Sequence, residues 1–173
     1  MEFLGLDHFS RGVLSDLLHA SYAPFCVENA EFERVESPKW KQFDETIFNN
    51  LTTMGGWVFV TVENGRPVGF ASYDPRDRPD SARVSHNCVT PSHQGKGIGT
   101  AQIRQVLQRL RTQGVRLAKV STGGFPFFAP ARRMYEACGF REASRTPTEA
   151  SWGLFDLVEY EMPLPDTDAG DRE

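Results

Sequence analysis

Apolar residues in the first third of the chain recur at helical spacing in two stretches. Between positions 10 and 21 the apolar residues lie three and four positions apart, which predicts an amphipathic helix. These residues are Val13, Leu14, Leu17 and Leu18. Ser37 followed by Pro38 predicts the start of a second helix, because proline suits the first helical position. The apolar stripe of this second helix comprises Trp40, Phe43, Ile47 and Leu51.

Residues 22–36, between these two predicted helices, show neither a helical nor a strand period. They include three aromatic residues, Tyr22, Phe25 and Phe32. They also include four glutamates, Glu28, Glu31, Glu33 and Glu36. We therefore predict a loop in this segment, and the aromatic side chains suit a loop that shapes a pocket.

The middle of the chain alternates in the manner of β-strands. Segments 57–62 and 67–73 flank Asn64 and Gly65, a dipeptide that tolerates the positive φ angles of a tight hairpin turn. A third strand is predicted over residues 82–89, ending before Pro91 because proline cannot donate to a strand ladder. This region therefore predicts an antiparallel hairpin followed by a further strand.

The remaining segments alternate between helix and strand. Helices are predicted from 99 to 113 and from Pro130 to Gly139, and strands at 115–121, near 140–143 and near 155–162. The last two strands are separated by a polar connection over 144–151. The order of elements predicts an α/β fold with a mixed sheet flanked by helices.

Length and composition indicate one globular domain. The chain has 173 residues and a net charge of −4, so we expect one domain over residues 1–165 and no nucleic acid partner. Residues 166–173 are polar and are predicted to be a disordered tail. No apolar run suits a membrane span or a leader, so we expect a cytoplasmic protein without a membrane partner. The cysteines Cys26, Cys88 and Cys138 are expected to be reduced thiols, and no spacing of histidines indicates a metal site.

A glycine-rich segment carries the strongest chemical signal. Residues 94–100 read Gln-Gly-Lys-Gly-Ile-Gly-Thr between a predicted strand and a predicted helix. Backbone N–H groups and the positive end of the helix dipole converge at such a place, which suits phosphate oxygens. The spacing does not match a mononucleotide P-loop, and Thr100 stands where a dinucleotide fingerprint needs glycine. A glycine-rich turn that only starts a helix remains the alternative.

Four segments together resemble the GNAT acetyltransferase superfamily. Residues 94–99 match its Gln/Arg-x-x-Gly-x-Gly/Ala signature, and residues 131–140 match its Ala-x-x-x-Tyr-Glu-x-x-Gly-Phe helix ending. Residues 64–70 resemble its hairpin, and residues 89–91 resemble the end of its splayed strand. The resemblance implies a GNAT-like fold with a mixed, mostly antiparallel sheet, a splayed strand pair and acetyl-CoA as co-substrate.

The resemblance also implies residues that bind the cofactor. Backbone groups of Cys88 and Val89 are expected to pair with the pantetheine arm. Main-chain amides are expected to hold the pyrophosphate at Gln94, Gly95, Lys96, Gly97, Ile98, Gly99 and Thr100. Many members place asparagine where this chain has Phe128, so Thr122 or nearby main-chain groups are expected to replace that contact. The phenylalanines of this segment, Phe125, Phe127 and Phe128, are candidates for the wall of a substrate cavity.

Two residues are candidates for acid–base catalysis. Tyr135, at the motif tyrosine, is the predicted general acid for the departing thiolate, because a phenol keeps its proton at neutral pH. A purely structural role in the core is the alternative, since Tyr135 shares its helical face with apolar residues. His86 is the candidate base, on the same strand face as Cys88. Cys88 itself lacks an identifiable activating base and is not expected to be a nucleophile.

These residues predict an N-acetyltransferase that moves an acetyl group directly to a primary amine of a small molecule or peptide. A non-catalytic acyl-CoA-binding or regulatory domain is the alternative, and a different nucleotide-binding α/β protein is a third. The four glutamates of residues 22–36 hint at a cationic acceptor. Dimerisation is common in the family, so the resemblance also allows a homodimer.

Overall fold

A computed structural model describes residues 1–165, and the tail predicted over 166–173 lies outside the described residues. The helices are α1 (Val13–Glu28), α2 (Ala30–Asn49), α3 (Leu51–Met54), α4 (Ile98–Thr112) and α5 (Ala129–Ala137). The strands are β1 (Glu2–Leu4), β2 (Val58–Glu63), β3 (Arg66–Asp74), β4 (Ala82–Val89), β5 (Leu117–Gly123), β6 (Arg141–Ala150) and β7 (Gly153–Pro163). Short 3-10 turns cover Leu6–His8, Gly55–Trp57, Pro91–His93 and Pro126–Phe128. Within the described part of the chain, no helix combines the length and the apolar character that crossing a membrane requires.

The seven strands form one sheet in the order β1-β2-β3-β4-β5-β7-β6. Every neighbouring pair is antiparallel except β4 and β5, which run parallel. These two strands pair only where Ala82 meets Ala118 and Arg83 meets Lys119. Beyond this short ladder they separate, so the sheet has a gap at the end of β4. The predicted mixed sheet with a splayed strand pair is confirmed.

Helices cover both faces of this sheet. Successive strand residues point to opposite faces, as β2 illustrates. Phe59 joins a core cluster that includes Ile103 of α4, whereas Val58 joins a second cluster that includes Leu14 of α1 and Trp40 of α2. The face under α4 and α5 therefore has one core, and the face under α1 and α2 has another.

The predicted hairpin is confirmed. Its turn needs two residues with positive φ angles, and the Asn-Gly dipeptide supplies them. Asn64 and Gly65 have φ angles of 51° and 74° between β2 and β3. The third strand also occupies the predicted residues, and the helix predicted at 99–113 is α4. In these segments the local turn chemistry and the hydrophobic period agree with the tertiary structure.

The predicted loop at 22–36 and the predicted helix start at Ser37 are wrong. Helix α1 continues to Glu28 with Pro24 inside it, and α2 begins at Ala30 with Pro38 inside it. Ser37 caps no helix. Its hydroxyl instead lies 2.5 Å from Nε2 of His19 on α1. Packing of α1 against α2 thus outweighs the cost of a proline within each helix.

The polar connection predicted over 144–151 is also wrong, because most of it belongs to β6. This strand lies at the edge of the sheet, and most of its residues are exposed. An exposed edge strand needs no alternation of apolar residues, so the pattern gave no signal there. The three-residue edge strand β1 was missed for a similar reason, since it is too short to show a period.

The start of α1 is fixed from the neighbouring helix. Asp44 of α2 is 2% exposed, and its carboxylate accepts hydrogen bonds from the N–H groups of Gly12 at 2.8 Å and Leu14 at 3.0 Å. The first N–H groups of a helix have no partner within it, so this carboxylate serves as a cap from a distance in sequence. It links the start of α1 to α2.

Candidate active site

A cavity of about 720 Å³ occupies the gap between β4 and β5. Its walls come from both faces of the sheet. Residues of the glycine loop and α5 lie on one side, and aromatic residues of α1 and α2 lie on the other. The separation of β4 from β5 therefore creates a passage through the sheet, which is the feature on which the site is built.

The glycine loop, residues 94–100, forms one end of this cavity. Gly95 and Gly97 have φ angles of 74° and 80°, and no atom lies within 4 Å of where a Cβ would stand on either. Within residues 1–165, the N–H groups from Gly95 to Thr100 donate no hydrogen bond to a protein acceptor. The first internal bond of the turn is from Ala101 N–H to the Gly97 carbonyl, at 3.0 Å. Unpaired amides at the positive end of α4 form a cradle that fits an anionic phosphate.

Side chains attach the glycine loop to β4. The side-chain amide of Gln94 donates to the Val89 carbonyl at 2.9 Å. The side-chain amide of Asn87 donates to the Gly99 carbonyl at 3.3 Å, and its oxygen is buried without a partner in the described structure. Sequence reasoning missed Asn87. This residue places a carboxamide beside the loop, whereas Phe128 occupies the position at which many members of the family that the sequence resembles have asparagine.

The cavity wall includes every predicted cofactor-binding residue except one. The predicted residues that line the cavity are Cys88, Val89, Gln94, Gly95, Gly97, Ile98, Gly99, Thr100, Thr122 and Phe128. Lys96 is exposed on the outside of the loop and does not line the cavity. The structure therefore brings the backbone candidates together and leaves the lysine side chain among solvent-facing groups.

Tyr135 of α5 lies at the cavity wall and is also part of the core. The residue is 6% exposed, and its ring lies 5.9 Å from that of Phe140 and 6.1 Å from that of Tyr160. Burial, followed by the nearby Tyr22 and Cys138, raises the pKa of Tyr135 above its ordinary value. The phenol carries its proton at neutral pH, but the raised pKa also makes it a weaker acid than free tyrosine, so the shift does not itself favour proton donation.

His86 and Cys88 both line the cavity from β4, as their spacing predicts. The His86 ring packs 4.5 Å from the ring of Phe43, and burial lowers its pKa to about 4. The imidazole is therefore neutral at pH 7 but a weak base, which reduces its fitness for the predicted role. Burial raises the pKa of Cys88 to about 12, which leaves little thiolate at neutral pH and disfavours a nucleophilic role.

Aromatic rings form the other end of the cavity. Tyr22 of α1 stacks 5.1 Å from Trp40 of α2 and lies 6.1 Å from both Phe127 and Phe128. Phe32, Trp152 and Phe155 also line this end. Of the predicted phenylalanine wall, Phe125 lies behind the surface, where it packs against Phe25 and Phe155. The two tryptophans were not predicted as wall residues, because they come from α2 and from the β6–β7 turn.

The comparisons with known proteins agree with this architecture. The model of the acetyltransferase (GNAT) family matches residues 18–140. N-acetyltransferase 8B of Homo sapiens is 28% identical over 126 residues, covering 69% of this chain and 55% of that protein. L-2,4-diaminobutyric acid acetyltransferase of Nocardia farcinica is 38% identical over 61 residues, covering 35% of this chain and 32% of that protein. The matched region thus spans only about a third to just over half of these curated relatives.

Solved structures show the same fold at low identity. The structure of yncA from Salmonella typhimurium with its cofactor acetyl-CoA has a TM-score of 0.71 and 22% identity, covering 100% of this chain and 99% of that chain. The family match covers well over half of the sequence, and it includes the glycine loop and the α5 motif. This chain belongs to the GNAT acetyltransferase family.

Proposed function

We propose that this protein transfers an acetyl group from acetyl-CoA to a primary amine of a small molecule or peptide. The observation that carries the proposal is the row of unpaired amides from Gly95 to Thr100, which faces a cavity that passes through the sheet. Phosphate groups bound at these amides leave the attached chain free to enter the gap beside β4. An acceptor then approaches from the aromatic end.

The gap between β4 and β5 suits the pantetheine arm. An extended chain carrying amide groups can pair with the free edge of a strand, and β4 has such an edge beyond Arg83. Cys88 and Val89 lie on this edge at the cavity wall. Successive N–H groups of a strand point to opposite edges, and the Thr90 N–H already donates to the Val68 carbonyl of β3. The backbone N–H of Val89 therefore faces the gap and is the proposed donor to the thioester carbonyl, where negative charge develops during acyl transfer.

Direct transfer needs four changes of bonding. The lone pair of a neutral amine attacks the thioester carbonyl carbon, the carbon–sulfur bond breaks, the amine loses a proton and the sulfur gains one. Tyr135 is the proposed donor of the proton to sulfur, since its phenol lines the cavity and is protonated at neutral pH. His86 is a candidate acceptor of the amine proton, although its low pKa makes solvent a competing acceptor.

Release of free CoA thiol in the presence of a panel of amines tests the proposal. The panel should contain amino acids, diamines, arylalkylamines and a peptide with a free α-amine. We expect thiol release to depend on one or more of these amines, with mass spectrometry showing the acetylated product. Tight acetyl-CoA binding without transfer to any acceptor would favour the non-catalytic acyl-CoA-binding domain. Competition by ATP or NAD but not by CoA would favour a different nucleotide-binding protein.

A further inference from the structure

Glu36 of α2 interrupts the apolar face that α2 turns towards the cavity. It lies four residues after Phe32 and four residues before Trp40, so the three side chains fall on one side of the helix. All three line the cavity, and the side chain of Glu36 is 21% exposed. A carboxylate on an otherwise aromatic surface is costly unless it has a positively charged partner.

Glu36 is the only carboxylate among the described residues that line this cavity. The other glutamates of the acidic stretch face elsewhere. Glu28 and Glu33 are exposed, and Glu31 is paired with Arg34 on the surface. Of the four glutamates that hinted at a cationic acceptor, Glu36 alone therefore lines the cavity.

The Glu36 carboxylate has one oxygen available. Lys39, one turn later, donates to Oε1 at 2.6 Å, and the Lys39 side chain is 60% exposed. No hydrogen-bond donor in residues 1–165 contacts Oε2. Exposed i,i+3 pairs contribute little energy, so a cation entering the cavity competes with Lys39 on favourable terms.

Glu36 and Tyr22 reach the same cavity from neighbouring helices. Tyr22 of α1 stacks 5.1 Å from Trp40, which lies one turn after Glu36 on α2. Tyr135 of α5 and Cys88 at the end of β4 line the same cavity. The carboxylate and the two phenols therefore belong to one cavity wall.

We propose that Glu36 binds the amine of the entering acceptor in its positively charged form while the surrounding aromatic rings hold an apolar body. The bound ammonium then gives one proton to solvent or to His86, and the neutral amine attacks the thioester. The acceptor is then a compact primary amine with one positive charge and an apolar or aromatic substituent, rather than a polyamine. One carboxylate balances one charge, and aromatic faces favour both apolar groups and the neighbourhood of a cation. This inference rests on the proposed function, because it identifies the substrate class of the same site.

The test compares amines that differ in charge and body. 2-Phenylethylamine and n-hexylamine carry one charge, whereas 1,5-diaminopentane carries two. We expect kcat/KM for 2-phenylethylamine to exceed that for 1,5-diaminopentane by at least about tenfold. Glu36→Gln is expected to raise KM for 2-phenylethylamine about 10- to 100-fold, as for loss of a hydrogen bond to a charged group, with KM for acetyl-CoA unchanged. Glu36→Asp should restore part of the loss.

Glu33→Gln is the matched control, since it removes the same charge from an exposed position on the same helix. Equal effects of Glu33→Gln and Glu36→Gln, or a preference for the diamine, would overturn the inference while transferase activity persists. Calorimetric titration of 2-phenylethylamine into the protein with CoA present separates the two proposals. Binding that depends on Glu36 without any transfer supports the amine site and overturns the proposed function. Absence of both binding and transfer overturns both.

Discussion

The two ends of the cavity offer different chemical groups to the proposed ligands. The glycine-loop end, residues 94–100, offers backbone amides, and its side chains have little part in the cradle. The aromatic end, built from α1, α2 and the segments around Phe127 and Trp152, offers side chains. Backbone groups are present in every sequence, so only the glycines need to be specified. Side chains from distant segments can change independently, so this end suits acceptor selection.

The largest effect is expected at the glycine loop, from Gly97→Val. Gly97 has a φ angle of 80°, and the space beside it is open towards the proposed ligand. A β-branched side chain both disfavours this backbone angle and occupies the phosphate position. We expect acetyl-CoA affinity, measured by calorimetry, to fall about 1,000-fold, as for several lost hydrogen bonds to a charged ligand.

Gly114→Val is the matched control for that experiment. Gly114 follows α4 with a φ angle of 70°, and no atom lies within 4 Å of where its Cβ would stand, so the backbone strain is similar. It lies outside the cavity wall. A comparable loss of affinity in both variants would show that strain, rather than ligand access, explains the result.

Tyr135→Phe, at the junction of the two ends, is expected to have the next largest effect. Loss of the phenolic proton should lower kcat about 100-fold, while acetyl-CoA affinity measured by calorimetry stays the same. Tyr160→Phe is the control. It removes a buried hydroxyl from the same core, which donates to Glu136 at 3.2 Å, but Tyr160 does not line the cavity. Equal turnover of Tyr135→Phe and the unmodified protein would remove the acid role and leave the core role.

Asp44→Ala is expected to weaken the attachment of α1 to α2, and so to affect the aromatic end of the cavity more than the glycine-loop end. It leaves buried N–H groups at the start of α1 without an acceptor, so we expect the free energy of unfolding to fall by about 2 kcal/mol in urea titrations. KM for the amine should rise more than KM for acetyl-CoA, because α1 supplies Tyr22. Asp80→Ala, at a side chain that is 83% exposed, is the control and should change neither quantity. A rise in KM for acetyl-CoA alone would contradict this division of the cavity.

The smallest effect is expected from His86→Gln. A ring with a pKa of about 4 accepts protons poorly, so kcat should fall less than about tenfold, with the pH–rate profile between pH 6 and 8 unchanged. A loss above about 100-fold together with a lost inflection would establish His86 as the base.

Stability gives a second measurement on His86. Its pKa falls from an ordinary 6.5 to about 4 on folding, so between these values the unfolded chain binds a proton that the folded chain does not. The free energy of unfolding therefore falls as pH drops from about 6.5 towards 4, and His86→Gln should flatten this dependence in urea titrations. An unchanged slope would mean that His86 is not desolvated in solution.

Local chemistry explains which elements could be predicted. The Asn64-Gly65 turn and the glycine loop depend on backbone angles that few residues adopt, so a short stretch of sequence identifies them. The boundaries of α1 and α2 could not be predicted in the same way. Ser37 and Pro38 form a strong local start signal, yet both lie inside α2, where the Ser37 hydroxyl contacts Nε2 of His19 on α1.

The same error concealed the acidic residue of the aromatic end. Glu36 lies at helical spacing from Phe32 and Trp40, and a helix predicted from residue 30 would have placed all three on one face. Because residues 22–36 were predicted to be a loop, nothing in the sequence indicated which of the four glutamates would face the cavity. What separates Glu36 from the others is its place in the cavity wall, which only the tertiary structure shows.

The amino-acid sequence by itself determined the order of the central elements along the chain, the glycine-rich turn of residues 94–100 and the place of Tyr135 in a family motif. These features follow from local backbone preferences and short spacings, which act without distant partners. The tertiary structure alone decided how far α1 and α2 extend, how far β4 and β5 separate and which side chains meet at the aromatic end. Those outcomes depend on packing between segments far apart in the chain, where the burial of apolar surface outweighs local signals.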